Sequence, residues 1–213
     1  AGKKSAKKVA EPEAPAKLFY IFYNQERWDN WLKTLSEADF SGDEDSEEMP
    51  DGYRILDGFS DDITLATLKI IRLYQNSRLS LEDARTKLLG VEEIVMAELP
   101  DCEVAEIVGS MQVSMLVLFA AGQKYLEGDC PANEDVKNLV KDGRKIFDKD
   151  PEKALDMASS IGAAVINGAT CCGKYVKDTD DPTLFDEWLV EVERISEAMK
   201  SLKNFDEEAG EAQ

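Results

Sequence analysis

The residues with the clearest chemical potential are Gly168, Gly173 and Lys174, which match the pattern G-x-x-x-x-G-K. In a phosphate-binding loop, backbone amides hold the phosphates, the lysine reaches the outer phosphates, and a following Ser or Thr binds Mg²⁺. Here Tyr175 follows the lysine, so that metal ligand is missing. Such a loop would also follow a buried strand, which this part of the sequence lacks. We therefore interpret residues 168–174 as a glycine-containing helix end, with a nucleotide site as the alternative.

The four cysteines offer a second candidate chemistry. Cys171 and Cys172 are adjacent and Gly173 follows them, which resembles the Cys-Cys-Gly iron–sulfur modules of methanogen disulfide-reducing enzymes. Those modules need further downstream cysteines, and none follows here; Cys102 and Cys130 stand alone. The chain also has no histidine, which removes histidine-based general bases and zinc sites. The sequence predicts small buried thiols and no cofactor, metal or catalytic residue, with a redox-active pair as the alternative.

Clustered carboxylates and aromatic residues are the remaining candidates for binding. The carboxylates of residues 43–48 lack the ligand spacing, glycine and terminal glutamate of an EF-hand, which indicates a solvated loop. Aromatic residues are dense between residues 20 and 31, and most should lie in the core. Any that stay exposed would anchor a protein partner, since Trp and Tyr dominate interface hot spots. The possible partner contacts are Tyr23, Trp28 and Trp31.

Charge separates the first residues from the rest of the chain. The 213 residues carry a net charge of −19, yet residues 1–17 hold five lysines and two glutamates, a charge of +3 that leaves −22 on the remainder. A body of that charge would repel nucleic acid, so only the arm at residues 1–17 could bind it. The uncharged run at residues 107–123 is short for a membrane span and predicts a core helix. No secretory signal is visible, so we expect a cytoplasmic protein with no membrane contact.

Apolar residues recur every three or four positions along most of the chain, which predicts an all-α fold. The expected helices cover about 24–40, 60–76, 80–98, 102–125, 133–147, 151–169 and 182–202. Asn24, Ser80 and Asp150 are the expected N-caps, and a second Asp-Pro pair at Asp181 and Pro182 predicts the start of the last helix. The fourth helix is apolar on all sides, which is typical of the centre of a bundle. Residues 19–23 and 52–59 are possible short strands.

The organisation that follows is a basic arm at 1–17, one bundle of about seven helices at 18–203 with a central apolar helix, and an acidic tail at 204–213. Residues 22–32, with the sequence FYNQERWDNWL, resemble the opening of an uncharacterised archaeal family found in methanogens and haloarchaea. The resemblance extends over about 18–201. It implies an archaeal cytoplasm, where an acidic protein is ordinary, and it transfers no catalytic residue.

The functional prediction is a non-catalytic cytoplasmic adaptor or regulatory subunit that binds a protein partner, or a second copy of itself, through an acidic helical surface. One alternative is a nucleotide- or redox-dependent enzyme that uses residues 168–174 with Cys171 and Cys172. The other is a nucleic-acid mimic, or a nucleic-acid binder tethered by the arm.

Overall fold

The computed structural model describes residues 22–41, 48–170 and 182–211. Within these ranges all regular structure is helical, and the predicted all-α fold is confirmed. The helices are α1 (Gln25–Ser36), α2 (Asp51–Gln75), α3 (Leu81–Val95), α4 (Ala105–Glu127), α5 (Val136–Ile146), α6 (Pro151–Ile166) and α7 (Leu184–Glu211). A short 3₁₀ turn at Asn133–Asp135 comes directly before α5.

Three of the helices begin at the predicted N-caps. The side chains of Asn24, Ser80 and Asp150 each accept a hydrogen bond from the backbone N–H three residues later, at 2.9, 3.0 and 3.0 Å. Each bond satisfies a donor that has no partner inside its helix. Pro151 then occupies the first turn of α6, where its missing N–H costs no hydrogen bond.

The predicted central apolar helix is α4, which contacts α2, α3, α6 and α7. Its buried residues come from more than one face, as expected for a helix surrounded by others. Among the described residues α4 is also the one helix long and apolar enough to cross a membrane. The core helix of a bundle meets the same criterion, so this feature is weak evidence for a membrane span.

Close packing of α6 against α4 depends on a glycine. A Cβ atom built on Gly162 would lie 2.7 Å from the Cβ atom of Ala121, closer than real Cβ atoms come. Small residues at this crossing therefore let the two helix backbones approach each other.

The start of α2 differs from the prediction. The helix begins at Asp51 rather than near residue 60, and residues 52–59 are helical rather than a strand. Two features explain the difference: Phe59 is fully buried at helical spacing from Ile63, and Gly52 faces the ring of Phe40. A Cβ atom at Gly52 would lie 2.7 Å from that ring, so the glycine leaves space for Phe40 to pack against the first turn of α2.

The start of α7 also differs from the prediction. The helix begins at Leu184, two residues after Pro182, and Thr183 takes the capping role expected of Asp181. The Asp186 N–H donates to Thr183 Oγ1 at 3.3 Å, and the Thr183 hydroxyl donates to the Asp186 carboxylate at 2.8 Å. At its other end α7 continues to Glu211, into the segment predicted as an acidic tail.

Candidate functional site

The three residues predicted as possible partner contacts pack against the bundle. Tyr23 and Trp28 are 6% and 3% exposed, and Trp31 is half-buried. The ring of Trp31 stacks on Phe59 with centroids 5.2 Å apart, and Trp28 meets the same ring at 5.0 Å. A contact between a partner and Tyr23 or Trp28 stays a prediction, and it would require α1 to move away from α2.

A carboxylate on α2 holds α1 in place. Asp62 accepts hydrogen bonds from Trp31 Nε1 at 2.8 Å and from Arg27 Nε at 2.8 Å, and a second Arg27 nitrogen completes a bidentate ion pair. Burial raises the pKa of Tyr23, and the nearby Asp62 charge raises it further. The Tyr23 hydroxyl therefore stays protonated, and the arrangement attaches a helix rather than forming a reactive group.

The candidate chemical motifs fall mostly outside the described residues. Cys171, Cys172 and Lys174 lie in the undescribed range 171–181, so the structure gives no geometry for them. Gly168 is described, and it adopts a φ of +99° just beyond α6. A helix rather than a strand therefore precedes the G-x-x-x-x-G-K pattern, which fits the interpretation of Gly168 as part of a helix end.

The isolated cysteines Cys102 and Cys130 are partly buried, and neither forms a disulfide with a residue that the structure describes. Burial and the nearby Asp129 charge raise the pKa of Cys130, which disfavours a reactive thiolate. Within the described ranges no three Cys, Asp or Glu side chains converge in a way that could hold a metal ion.

Two shallow clefts on the surface of the bundle are lined by residues that the structure describes. The first, here the α2–α7 cleft, has a volume of about 210 Å³ and is lined by Asp61, Thr64, Leu65, Arg194, Glu197, Ala198 and Ser201. The second, here the α3–α4 groove, has a volume of about 170 Å³ and is lined by Arg85, Leu88, Leu89, Gln123, Leu126 and Glu127.

Arg194 pairs with three carboxylates at the α2–α7 cleft. Arg194 contacts Asp57 at 2.6 Å, Asp61 through a second nitrogen, and Glu191 at 3.3 Å. Glu191 is 8% exposed, and burial raises its pKa while the Arg194 charge opposes the rise. Asp57, Asp61 and Glu191 are thus paired with an internal cation that joins α7 to α2.

Carboxylates at the connection between α3 and α4 have no such cation. Residues 88–123 contain no Lys or Arg. They include six acidic residues, here called the acidic corner, which are Glu92, Glu93, Glu98, Asp101, Glu103 and Glu106. All except the half-buried Glu92 are exposed, and none forms an ion pair with a residue that the structure describes. The acidic corner is therefore a surface of uncompensated negative charge.

Backbone polarity adds to that charge. Glu92 and Glu93 lie in the last turn of α3, where the helix dipole is also negative and where the helix has no basic residue. The neutral amide of Gln112 donates to the carbonyl oxygens of Val95, the last residue of α3, at 2.7 Å and of Ala97 at 2.9 Å. The connection is thus hydrogen-bonded to α4 by a group that carries no positive charge.

Sequence reasoning identified an acidic surface but did not locate it. The signal that could have done so is the absence of Lys and Arg between Lys87 and Lys124, in a chain with 25 basic residues. Neither cleft was predicted, because each combines residues from two helices.

The class of protein is thus an acidic, all-helical bundle in which one interhelical connection, the acidic corner, carries six carboxylates and no Lys or Arg. A family model described as an uncharacterised protein conserved in archaea (DUF2150) matches residues 21–208, and the chain belongs to this family. The resemblance seen at residues 22–32 is confirmed. No curated protein and no solved structure matches the chain.

Proposed function

We propose that this protein is a non-catalytic cytoplasmic adaptor or regulatory subunit that binds a basic protein partner through the acidic corner. The observation that carries the proposal is the charge of one helix connection: it has six carboxylates, and residues 88–123 contain no Lys or Arg.

A basic partner would relieve an unfavourable arrangement. Like charges at Glu92 and Glu93 repel each other and also oppose the dipole of α3. Positive side chains of a partner at this surface would offset both the repulsion between the carboxylates and their unfavourable interaction with the helix dipole. Electrostatic complementarity between two surfaces also accelerates their association. This gives the acidic corner a role in recognition that the paired carboxylates of the α2–α7 cleft do not need.

The proposal is tested by neutralising the acidic corner in the native host. A tagged variant carrying Glu93→Gln, Glu98→Gln, Asp101→Asn and Glu103→Gln should lose a stoichiometric protein that the unmodified chain co-purifies. The matched control changes four exposed acids on other faces to their amides, namely Glu37, Glu134, Asp135 and Asp148. It removes the same net charge from the molecule but leaves the acidic corner intact, so it should keep the partner.

Recovery of the same partner by both variants would contradict the proposal, since the location of the charge would then not matter. The absence of any stoichiometric partner of the unmodified chain would also contradict it.

A further inference from the structure

We propose that the α3–α4 groove and the acidic corner together bind one amphipathic helix of a protein partner, rich in Lys or Arg, with an aliphatic side chain seated beside Leu89. This inference rests on the proposed function and specifies the chemistry of the partner.

The groove supplies the apolar part of the site. Leu88 and Leu126 are almost fully buried and form its floor, whereas Leu89 is 49% exposed at its edge. Its volume of about 170 Å³ compares with that of an enclosed apolar cavity, about 150 Å³, that accommodates benzene. The groove therefore has space for one leucine-sized or phenyl-sized side chain, and covering Leu89 would remove apolar surface from water.

The groove leads directly to the acidic corner. Gln123, which lines the groove, donates to the Glu92 carboxylate at 2.6 Å, and Gln112, three turns earlier on α4, reaches the end of α3. The two helices are thus antiparallel, and the space between them runs from Arg85 towards Glu92 and Glu93. From Arg85 to Met96 the distance along α3 is about 16 Å, or about three turns of a bound helix.

Charge selects the kind of helix that fits. The carboxylates next to the groove are Glu92 and Glu127, with Glu93 one residue further along the outer surface of α3. Arg85 is the one cation among the groove-lining residues, and it lies at the end away from the acidic corner. A ligand helix with positive residues flanking its apolar side chain therefore matches the surface, whereas an acidic helix would be repelled by Glu92, Glu93 and Glu127.

The regular structure of the described residues also favours a helix as the occupant. It consists of helices, which leaves no strand edge in those residues for an extended peptide to join. An amphipathic helix that lays its apolar face into a hydrophobic groove is an established recognition mode, read out by side chains one helical turn apart.

The test uses the full chain and a synthetic, fluorescein-labelled helix of about four turns with leucine on one face and lysine elsewhere. Fluorescence anisotropy should show binding that weakens with salt. Leu89→Ser should weaken it about fivefold. Leu65→Ser removes a similar leucine, 39% exposed, from the α2–α7 cleft and should change it less than about twofold. Arg85→Gln should tighten binding by about twofold because it removes the one like charge.

Several results would overturn the inference. Equal effects of Leu89→Ser and Leu65→Ser, or equal binding of a scrambled peptide of the same composition, would show that the groove does not select the ligand. Weaker binding of the lysine-containing peptide after Arg85→Gln would show that Arg85 does not repel the ligand, which contradicts the proposed charge selection. If the Glu93, Glu98, Asp101 and Glu103 variant loses its cellular partner while Leu89→Ser leaves peptide binding unchanged, the groove inference fails and the proposed function stands.

The inference would also be wrong if the groove were occupied by the chain's own arm or by a second copy of the chain. Replacing Lys3, Lys4, Lys7 and Lys8 with glutamine should leave peptide affinity unchanged, and a clear gain would identify the chain's own arm as the occupant. Sedimentation should show the same molecular mass for the unmodified chain and for Leu89→Ser. A dimer that dissociates in the variant would identify a second copy as the occupant.

Discussion

The α2–α7 cleft and the α3–α4 groove are similar in size, and each has an exposed leucine at its edge, yet they differ in the position of one cation. In the cleft, Arg194 forms ion pairs with carboxylates from both helices and so partly neutralises their charge within the molecule. In the groove, Arg85 lies at one end, and Glu92 and Glu93 beyond the other end form no ion pair with a described residue. In so acidic a protein, the position of Arg194 thus distinguishes the carboxylates that join α7 to α2 from those of the acidic corner, which have no such cation.

The comparison is tested most strongly by removing each arginine in turn. Arg194→Met keeps the apolar stem but leaves Glu191 buried without its cation, so we expect the free energy of unfolding to fall by about 3 kcal/mol. Arg85→Met should change it by less than about 0.5 kcal/mol. Urea unfolding followed by circular dichroism measures both. Equal losses would show that the two sites do not differ in the way described.

The pH dependence of the Arg194→Met variant sharpens the same point. Burial raises the pKa of Glu191, so the folded state holds this proton more tightly than the unfolded state does. Stability therefore falls as the pH rises from the ordinary carboxylate range through the raised pKa. Without Arg194 the pKa rises further, and the loss of stability should be largest at neutral pH and shrink towards about pH 5.

The control for this pH effect is the double variant Arg194→Met, Glu191→Gln. It carries no ionisable group at residue 191, so the difference between its stability and that of Glu191→Gln should stay nearly constant over the same range. If the loss of stability caused by Arg194→Met grew as the pH fell, the assignment of the pH dependence to Glu191 would be wrong.

The smallest expected effects have opposite signs in the two regions. Asp57→Asn with Asp61→Asn should destabilise the fold by about 1 kcal/mol, because exposed ion pairs contribute modestly. Glu92→Gln with Glu93→Gln should stabilise it by about 0.5 kcal/mol, because the last turn of α3 loses charges that oppose its dipole. Concentrated KCl should reduce both differences by screening. Effects of the same sign in urea unfolding would contradict the comparison.

Local signals made much of the fold predictable. The caps at Asn24, Ser80 and Asp150 and the apolar α4 are encoded in a few neighbouring residues, so the sequence alone indicates them. The first turns of α2 were predicted wrongly, because Gly52 suggests an irregular segment until the position of Phe40 is known. Likewise, Asp-Pro signals a helix start, but Thr183 and Asp186 form the cap of α7 instead.

The candidate site was less predictable because it depends on contacts between distant residues. Arg194 and Asp57 are separated by 137 positions, and no local pattern pairs them. The predicted contacts Tyr23, Trp28 and Trp31 share this difficulty, since an aromatic residue has the same local signal whether it binds a partner or fills the core. Counting basic residues along the chain locates the acidic corner, but only the fold shows that the groove adjoins it.

The position of α7 has a consequence for synthesis of the chain on the ribosome. Residues of α7 such as Phe185 and Leu189 are fully buried, and the helix contacts α2, α4 and α6. The core therefore cannot close until α7 has left the exit tunnel. Until Arg194 emerges, Asp57 and Asp61 lack the cation that pairs with them in the folded protein. Their mutual repulsion then disfavours compaction of the nascent chain around α2.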